Sequence, residues 1–116
     1  MDEVRELEDG EEAKYYGYYY TIITTIITIK EKNNIICVDR EGVIHSFNDK
    51  PAYINYQQNN KKDFEVWFNH GKEHRLTGPA RITYDGEGNI RKKYYFIDGK
   101  YLTQQEFEEY KLLKEI

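Results

Sequence analysis

Gly42-Val-Ile-His45-Ser-Phe-Asn-Asp-Lys50-Pro51-Ala52-Tyr-Ile54-Asn-Tyr56 and Gly71-Lys-Glu-His74-Arg75-Leu-Thr-Gly78-Pro79-Ala80-Arg-Ile82-Thr-Tyr84 are two copies of one pattern. Each runs Gly, His three residues later, Pro-Ala, Ile two after the Ala and Tyr two after that. Six residue types thus coincide in order at a period of 28–29 residues, with one extra residue between His and Pro in the first copy. A third, truncated copy follows: Gly99 succeeds Gly71, and Tyr95-Phe96 succeeds Trp67-Phe68. Upstream of Gly42 the place of that aromatic pair falls to Val38-Asp39.

Each unit reads as a strand ending at Gly, a bend carrying His, and a Pro-started return strand. Glycine supplies the positive φ of a tight turn, and proline, lacking an N–H, suits the first residue of a strand. The histidine is placed to bond turn carbonyls or a neighbouring unit's backbone. A unit this small cannot bury both faces alone, whereas stacked copies with atypical ends can. The expected fold is therefore mainly β: an antiparallel meander of repeated β-hairpins with a short C-terminal capping helix. Gly42, His45, Pro51, Gly71, His74, Pro79 and Gly99 are its structural repeat residues.

Working outward, Tyr15–Lys30 is almost purely aromatic and β-branched and predicts one long strand, or a strand bent at Gly17. Further strands are expected at 35–38, 43–47, 51–56, 64–68, 80–84 and 90–97. Thr103-Gln-Gln-Glu106 fits a capping box, and Phe107, Tyr110 and Leu113 recur every three residues, which predicts a helix over about 104–115. Residues 1–14 read as a flexible acidic tail and 15–116 as one domain, with repeat units at about 35–63, 64–92 and 93–103. The Tyr15–Ile29 strand and the helix are the expected caps.

Composition narrows the function classes. The 116 residues carry 17 Lys plus Arg against 21 Asp plus Glu, net −4. Residues 1–14 hold seven acids and two bases, leaving 14 acids and 15 bases, net +1, in 15–116. That balance argues against nucleic acid as the main partner. Thr21–Ile29 is interrupted by threonines and far short of the roughly 20 apolar residues of a membrane span. No signal-peptide pattern opens the chain, and the single Cys37 suits a reducing compartment, so a cytoplasmic location is expected. Twelve Tyr, five Phe, one Trp and 13 Ile offset the 33% charged residues, so a folded sheet with a shallow core is expected rather than disorder.

The stretch Trp67-Phe-Asn-His-Gly71-Lys-Glu-His74-Arg75-Leu-Thr-Gly78-Pro79-Ala80, followed by Ile82, Tyr84 and Asp85-Gly86, resembles the MORN-like W-x-x-x-G-x-x-H-R-x-x-G-P-A repeats of large DNA viruses, phages and some bacteria. The Asp98-Gly99-Lys100 ending and the Gln105-Glu106-Phe107 helix resemble the way such arrays terminate. The resemblance covers about residues 35–110, and implies hairpin arrays that serve as interaction modules, mostly without assigned catalysis. The first copy departs from the pattern, with Ser46 in place of Arg and Lys50 in place of the Gly before Pro.

No catalytic, cofactor or metal site is expected. His70 and His74 have a four-residue spacing but flank a turn glycine, and neither a Cys pair nor a His-Glu helix motif supports zinc with Cys37. Ser46 and His45 are adjacent on a strand and point to opposite faces, which disfavours a nucleophilic pair. Arg91-Lys92-Lys93-Tyr94-Tyr95 and Lys61-Lys62 read as solvated edges that discourage aggregation. The expectation is a non-enzymatic protein-interaction module, encoded by a phage or virus as the resemblance implies, and binding or inhibiting a host enzyme or defence complex. Its expected contact surface is an exposed aromatic face of Tyr18, Tyr20, Trp67, Tyr84 and Tyr95, flanked by Arg75 and Arg81. The rival readings are a nucleotide or single-stranded nucleic-acid binding module using Arg75, Arg91, Lys92 and Lys93, and a self-assembling structural or virion component.

Overall fold

The computed structural model describes residues 12–15, 18–23 and 26–114, with side chains from 27 to 114. The chain runs β1 (Glu12–Tyr15), β2 (Tyr18–Ile23), β3 (Ile26–Lys30), β4 (Asn34–Val38), β5 (Tyr53–Tyr56), β6 (Lys62–Val66), β7 (Phe68–Asn69), β8 (Lys72–Glu73), β9 (Arg81–Tyr84), β10 (Ile90–Ile97), β11 (Lys100–Leu102) and α1 (Gln104–Lys114). Nine strands form an antiparallel sheet in the order β1-β2-β3-β4-β5-β6-β9-β10-β11, and β7 and β8 form a separate hairpin. The fold is mainly β, an antiparallel meander closed by one short C-terminal helix.

Two expectations at the start of the chain change. The single strand over Tyr15–Lys30 is instead three strands in a meander. The Ile/Thr run is self-complementary, and folding it back sets Ile22 opposite Ile27 and Thr21 opposite Thr28. The first strand begins at Glu12, inside the segment read as tail, because Glu12–Tyr15 pairs with Tyr18–Thr21. Residues 1–11 lie outside the described residues, as do Gly17 and Ile116.

The repeat is a translation of hydrogen bonds. Ala52 donates to the Val66 carbonyl at 2.9 Å and its own carbonyl accepts from Cys37 at 2.7 Å. Ala80 does the same with Tyr94 at 2.9 Å and Trp67 at 2.7 Å. Ala52 and Ala80, whose backbones bridge two neighbours in this way, are 1% and 0% exposed. His70-Gly71 and Asp98-Gly99 have φ of 46° and 86°, and 49° and 83°. These are the two-residue turns with positive φ at both positions that match strand twist. The corresponding turn of the first copy is one residue longer, with Asp39 donating to the Val43 carbonyl at 2.9 Å. Counting from these bonds, Cys37-Val38, rather than Val38-Asp39, occupies the place of Trp67-Phe68. The extra turn residue shifted the alignment by one.

The expected strand at Val43–Phe47 reduces to one bridge, Val38 to Ile44. Its backbone bonds back to β4 through His45, which donates to the Cys37 carbonyl at 3.1 Å, and also pairs forward: Ser46 donates to the Phe68 carbonyl at 2.8 Å and Gly71 to that of Ile44 at 2.9 Å. One unit later Arg75 donates to Phe96 at 3.2 Å and Gly99 to Glu73 at 2.8 Å. The expected 64–68 strand breaks at Trp67 because Phe68 joins this second row of hairpins.

The array ends where its linking residue is missing. Leu102 stands at the histidine position, and Thr103 stands where Ser46 and Arg75 donate to the next unit. The Thr103 amide bonds the Glu106 carboxylate at 2.9 Å, and the Glu106 amide donates to the Thr103 hydroxyl at 3.1 Å, completing the expected capping box. The thinnest dimension is 19 Å, so the core is shallow: Val38, Ala52, Val66, Trp67, Ala80, Ile82, Ile97 and Phe107.

Candidate functional site

The motif residues converge on Arg75. Its guanidinium lies over the Trp67 ring at 3.9 Å, a cation–π contact. It also bonds the Asp49 carboxylate at 3.1 and 3.3 Å, the Thr77 hydroxyl at 3.1 Å and the Pro79 carbonyl at 3.2 Å. Gly78 leaves room for this, since a Cβ there would meet Arg75 Nη1 at 3.3 Å. Trp67 Nε1 donates to the Asp49 carbonyl at 2.9 Å. The one-residue insertion of the first copy makes this possible: Asn48 and Asp49 both take positive φ, 55° and 58°, and turn Asp49 toward the second unit. The Arg75 guanidinium holds the Asp49 carboxyl below its ordinary range, outweighing the opposing effect of burial.

The histidines join successive units. His45 Nδ1 accepts from the His70 amide and His74 Nδ1 from the Asp98 amide, each at 2.9 Å. In both cases the donor is the residue before the next unit's glycine. The His45 ring also stacks on His70 at 4.4 Å, and burial, then the His70 charge, push its pKa down. His45, Asp49, Trp67, His74, Arg75 and Thr77 line an open cleft of about 350 Å³.

This corrects the expected contact surface. Trp67 is a core residue, 5% exposed, because its ring is held between Arg75 and the Ala80–Ile82 strand. Arg75 clamps two units, through Asp49 of one and Trp67 and Pro79 of the next. Arg81 is bonded to Glu73 at 2.9 Å through Nε. Tyr84 donates its hydroxyl to Glu65, a buried carboxylate also paired with Lys62 at 3.0 Å. Burial, then the Glu65 bond, raises the Tyr84 hydroxyl above its ordinary range. Tyr95 packs on Phe107 of α1 at 4.8 Å. Tyr18 and Tyr20 lie in β2, with side chains outside the described residues.

A different aromatic surface lies on the other side of the sheet. Tyr94 and Phe96 flank Tyr95 in β10 and so point away from α1. The register carries the same face from Tyr94 to Arg81, Val66 and Tyr53. Tyr53 and Phe64 stack in parallel at 5.5 Å, and Tyr101 packs on Phe96 at 5.6 Å and Tyr94 at 6.4 Å. Tyr53, Phe64, Phe68 and Thr83 line an open cleft of about 330 Å³ with the Arg81–Glu73 pair in its wall. Tyr101 is 55% exposed and the other aromatics are half-buried. Sequence reading missed Tyr53, Phe64, Tyr94 and Tyr101. The alternation in each strand was visible, but only cross-strand register shows which alternate set lies opposite the helix.

Burial raises the Cys37 thiol, whose neighbour is the Thr28 hydroxyl at 3.8 Å. Among the described residues, no three His, Cys, Asp or Glu side chains converge to hold a metal ion. No helix among them is long and apolar enough to cross a membrane. Compared with known proteins, the chain matches no family model, no curated protein and no solved structure.

Proposed function

We propose that the protein is a non-enzymatic interaction module that binds a protein partner through the open aromatic face of its sheet. In its sharpest form it is a phage- or virus-encoded inhibitor of a host enzyme or defence complex, acting in the host cytoplasm. The observation that carries the reading is the set of tyrosines and phenylalanines left half-exposed opposite α1: Tyr53, Phe64, Tyr94, Phe96 and Tyr101. Aromatic anchors around a shallow cleft are the surface from which binding hot spots are built. The motif residues of the MORN-like resemblance serve the array's own cohesion, which leaves the positions between them to carry recognition.

The test is affinity capture from a host-type lysate with wild type beside a Tyr53→Ser, Tyr101→Ser double variant, its fold checked by circular dichroism. Expected is a protein retained by wild type and lost from the variant. Recovery of nucleic acid alone, or of nothing beyond the bait, would overturn the reading.

A further inference from the structure

The array ends on an edge that its own pattern would fill. Within the sheet, β6 is bordered by the return strand β9, with Phe64 opposite Thr83, Glu65 opposite Ile82 and Val66 opposite Arg81. Twenty-eight residues on, Lys92, Lys93 and Tyr94 of β10 stand in the places of Phe64, Glu65 and Val66. Among the described residues no strand returns beside them, because the chain after Leu102 enters α1. Strand β11 borders β10 only at Tyr95–Ile97, and Ile90 to Lys93 are all exposed.

The backbone direction follows from the hydrogen bonds. Ala80 donates to the Tyr94 carbonyl at 2.9 Å, so the peptide groups of Tyr94 and Lys92 face β9. That of Lys93 faces outward beside no strand among the described residues, whereas that of Tyr95 faces β11, opposite Leu102. In the preceding unit the counterpart of the Tyr95 amide, that of Trp67, donates to the Ala80 carbonyl at 2.7 Å.

The edge also has a sign. Arg91, Lys92 and Lys93 are consecutive, and none forms an ion pair among the described residues. The matching stretch of β6 carries Asp63 and Glu65 instead. Basic residues on a bare edge discourage pairing with another copy of the same edge and favour an acidic guest.

We propose that the Ile90–Tyr94 edge of β10 accepts an extended acidic segment of the partner protein as an added antiparallel strand. This rests on the interaction-module reading but uses a surface separate from the aromatic cleft. The molecule's own return strands read Ala52-Tyr-Ile54-Asn-Tyr56 and Ala80-Arg-Ile82-Thr-Tyr84, so the guest has the alternation Ala-x-Ile-x-Tyr with acids at x. An acid at the second x comes opposite Lys92, as Thr83 comes opposite Phe64. Main-chain bonds supply the affinity and the charges select the partner.

The test is fluorescence anisotropy with the full chain and a labelled peptide Pro-Ala-Glu-Ile-Glu-Tyr-Glu. Expected is binding that weakens as salt rises and that fails when lysines replace the glutamates. Lys93→Pro removes an outward N–H and leaves the bonds to β9 in place, so it weakens binding by about tenfold or more. The exposed variant Lys92→Glu weakens it independently of any backbone effect. In wild type, the peptide protects the Lys93 amide from hydrogen exchange. Absence of peptide binding, equal affinity for Lys93→Pro, or an unprotected Lys93 amide would each overturn the proposal. Preferential binding of a poly-thymidine oligonucleotide, indifferent to Lys93→Pro, would overturn it in favour of phosphate recognition. Any of these failures, with a partner still lost from the Tyr53→Ser, Tyr101→Ser variant, leaves the interaction module standing without its strand-addition site.

Discussion

Arg75 and His45 show how single side chains replace a deep core in this molecule. Arg75 covers Trp67, neutralises Asp49 and bonds the Pro79 carbonyl, tying the loop of one unit to the return strand of the next. Arg75→Ala is expected to cost about 2 kcal/mol in urea denaturation, from the lost ring contact and charge-assisted bonds. Arg75→Lys restores only part, because an ammonium cannot hold Asp49 in a two-pronged bond while lying flat on the indole. His45 carries a pH dependence. Its folded pKa is depressed below the ordinary 6.5, by burial first and the His70 charge second, with Asp39 opposing. The unfolded chain therefore takes up the proton first, and stability is full above about pH 6.5 and falls as the pH drops through the depressed value. His45→Asn keeps an acceptor for the His70 amide without titrating, and is expected to flatten unfolding free energy against pH below about 6.5. An unchanged slope would assign the acid sensitivity to other groups.

Helix α1 is the element that the sequence announced most fully, since a capping box and an apolar stripe are local signals. Thr103 and Glu106 make both reciprocal bonds, and Phe107 buries against Tyr95. The backbone bonds to Thr103 hold the Glu106 carboxyl below its ordinary range. Thr103→Ala is expected to lower stability by about 1 kcal/mol, with loss of helical signal in circular dichroism before the sheet unfolds. A single coincident transition would show instead that α1 and the sheet melt together. The repeat was legible for the same local reason: Gly71 meets the demand of a tight turn and Pro79 that of a strand start, each within its own unit. The histidines were read as able to reach a neighbouring unit's backbone, and they do; what could not be read was side-chain contact between units. Asp49 sits in an insertion that breaks the pattern, and its partners Arg75 and Trp67 lie 26 and 18 residues away. The Ile22–Ile29 run reads equally as one strand or as two folded together, because reversal matches Ile with Ile and Thr with Thr. Trp67 was misplaced on a surface because strand alternation cannot show that an arginine from the next turn closes over it.

At the scale of the whole molecule, successive units among the described residues join through Pro-Ala strands in one row and His-linked hairpins in the other. Stability is then close to a sum over units and the interfaces between them. It follows that the array can be lengthened. A second copy of Gly71–Asp98, 28 residues, placed between Asp98 and Gly99 recreates an Asp-Gly turn at both junctions and gives each His74 the Asp98 amide it accepts. The inserted Ala80–Tyr84 strand falls beside the original β10, and the capping box still closes the end. The urea m-value scales with surface exposed on unfolding, so it is expected to rise by roughly a quarter, the ratio of 28 to 116 residues. An insert of Lys72–Asp98 omits one glycine, and a slip of one residue turns every following side chain to the opposite face. That variant is expected to be less stable than wild type. Equal behaviour of the two inserts, or an m-value that does not rise, would mean that the added residues stay outside the sheet and that the 28-residue unit is not the unit of folding.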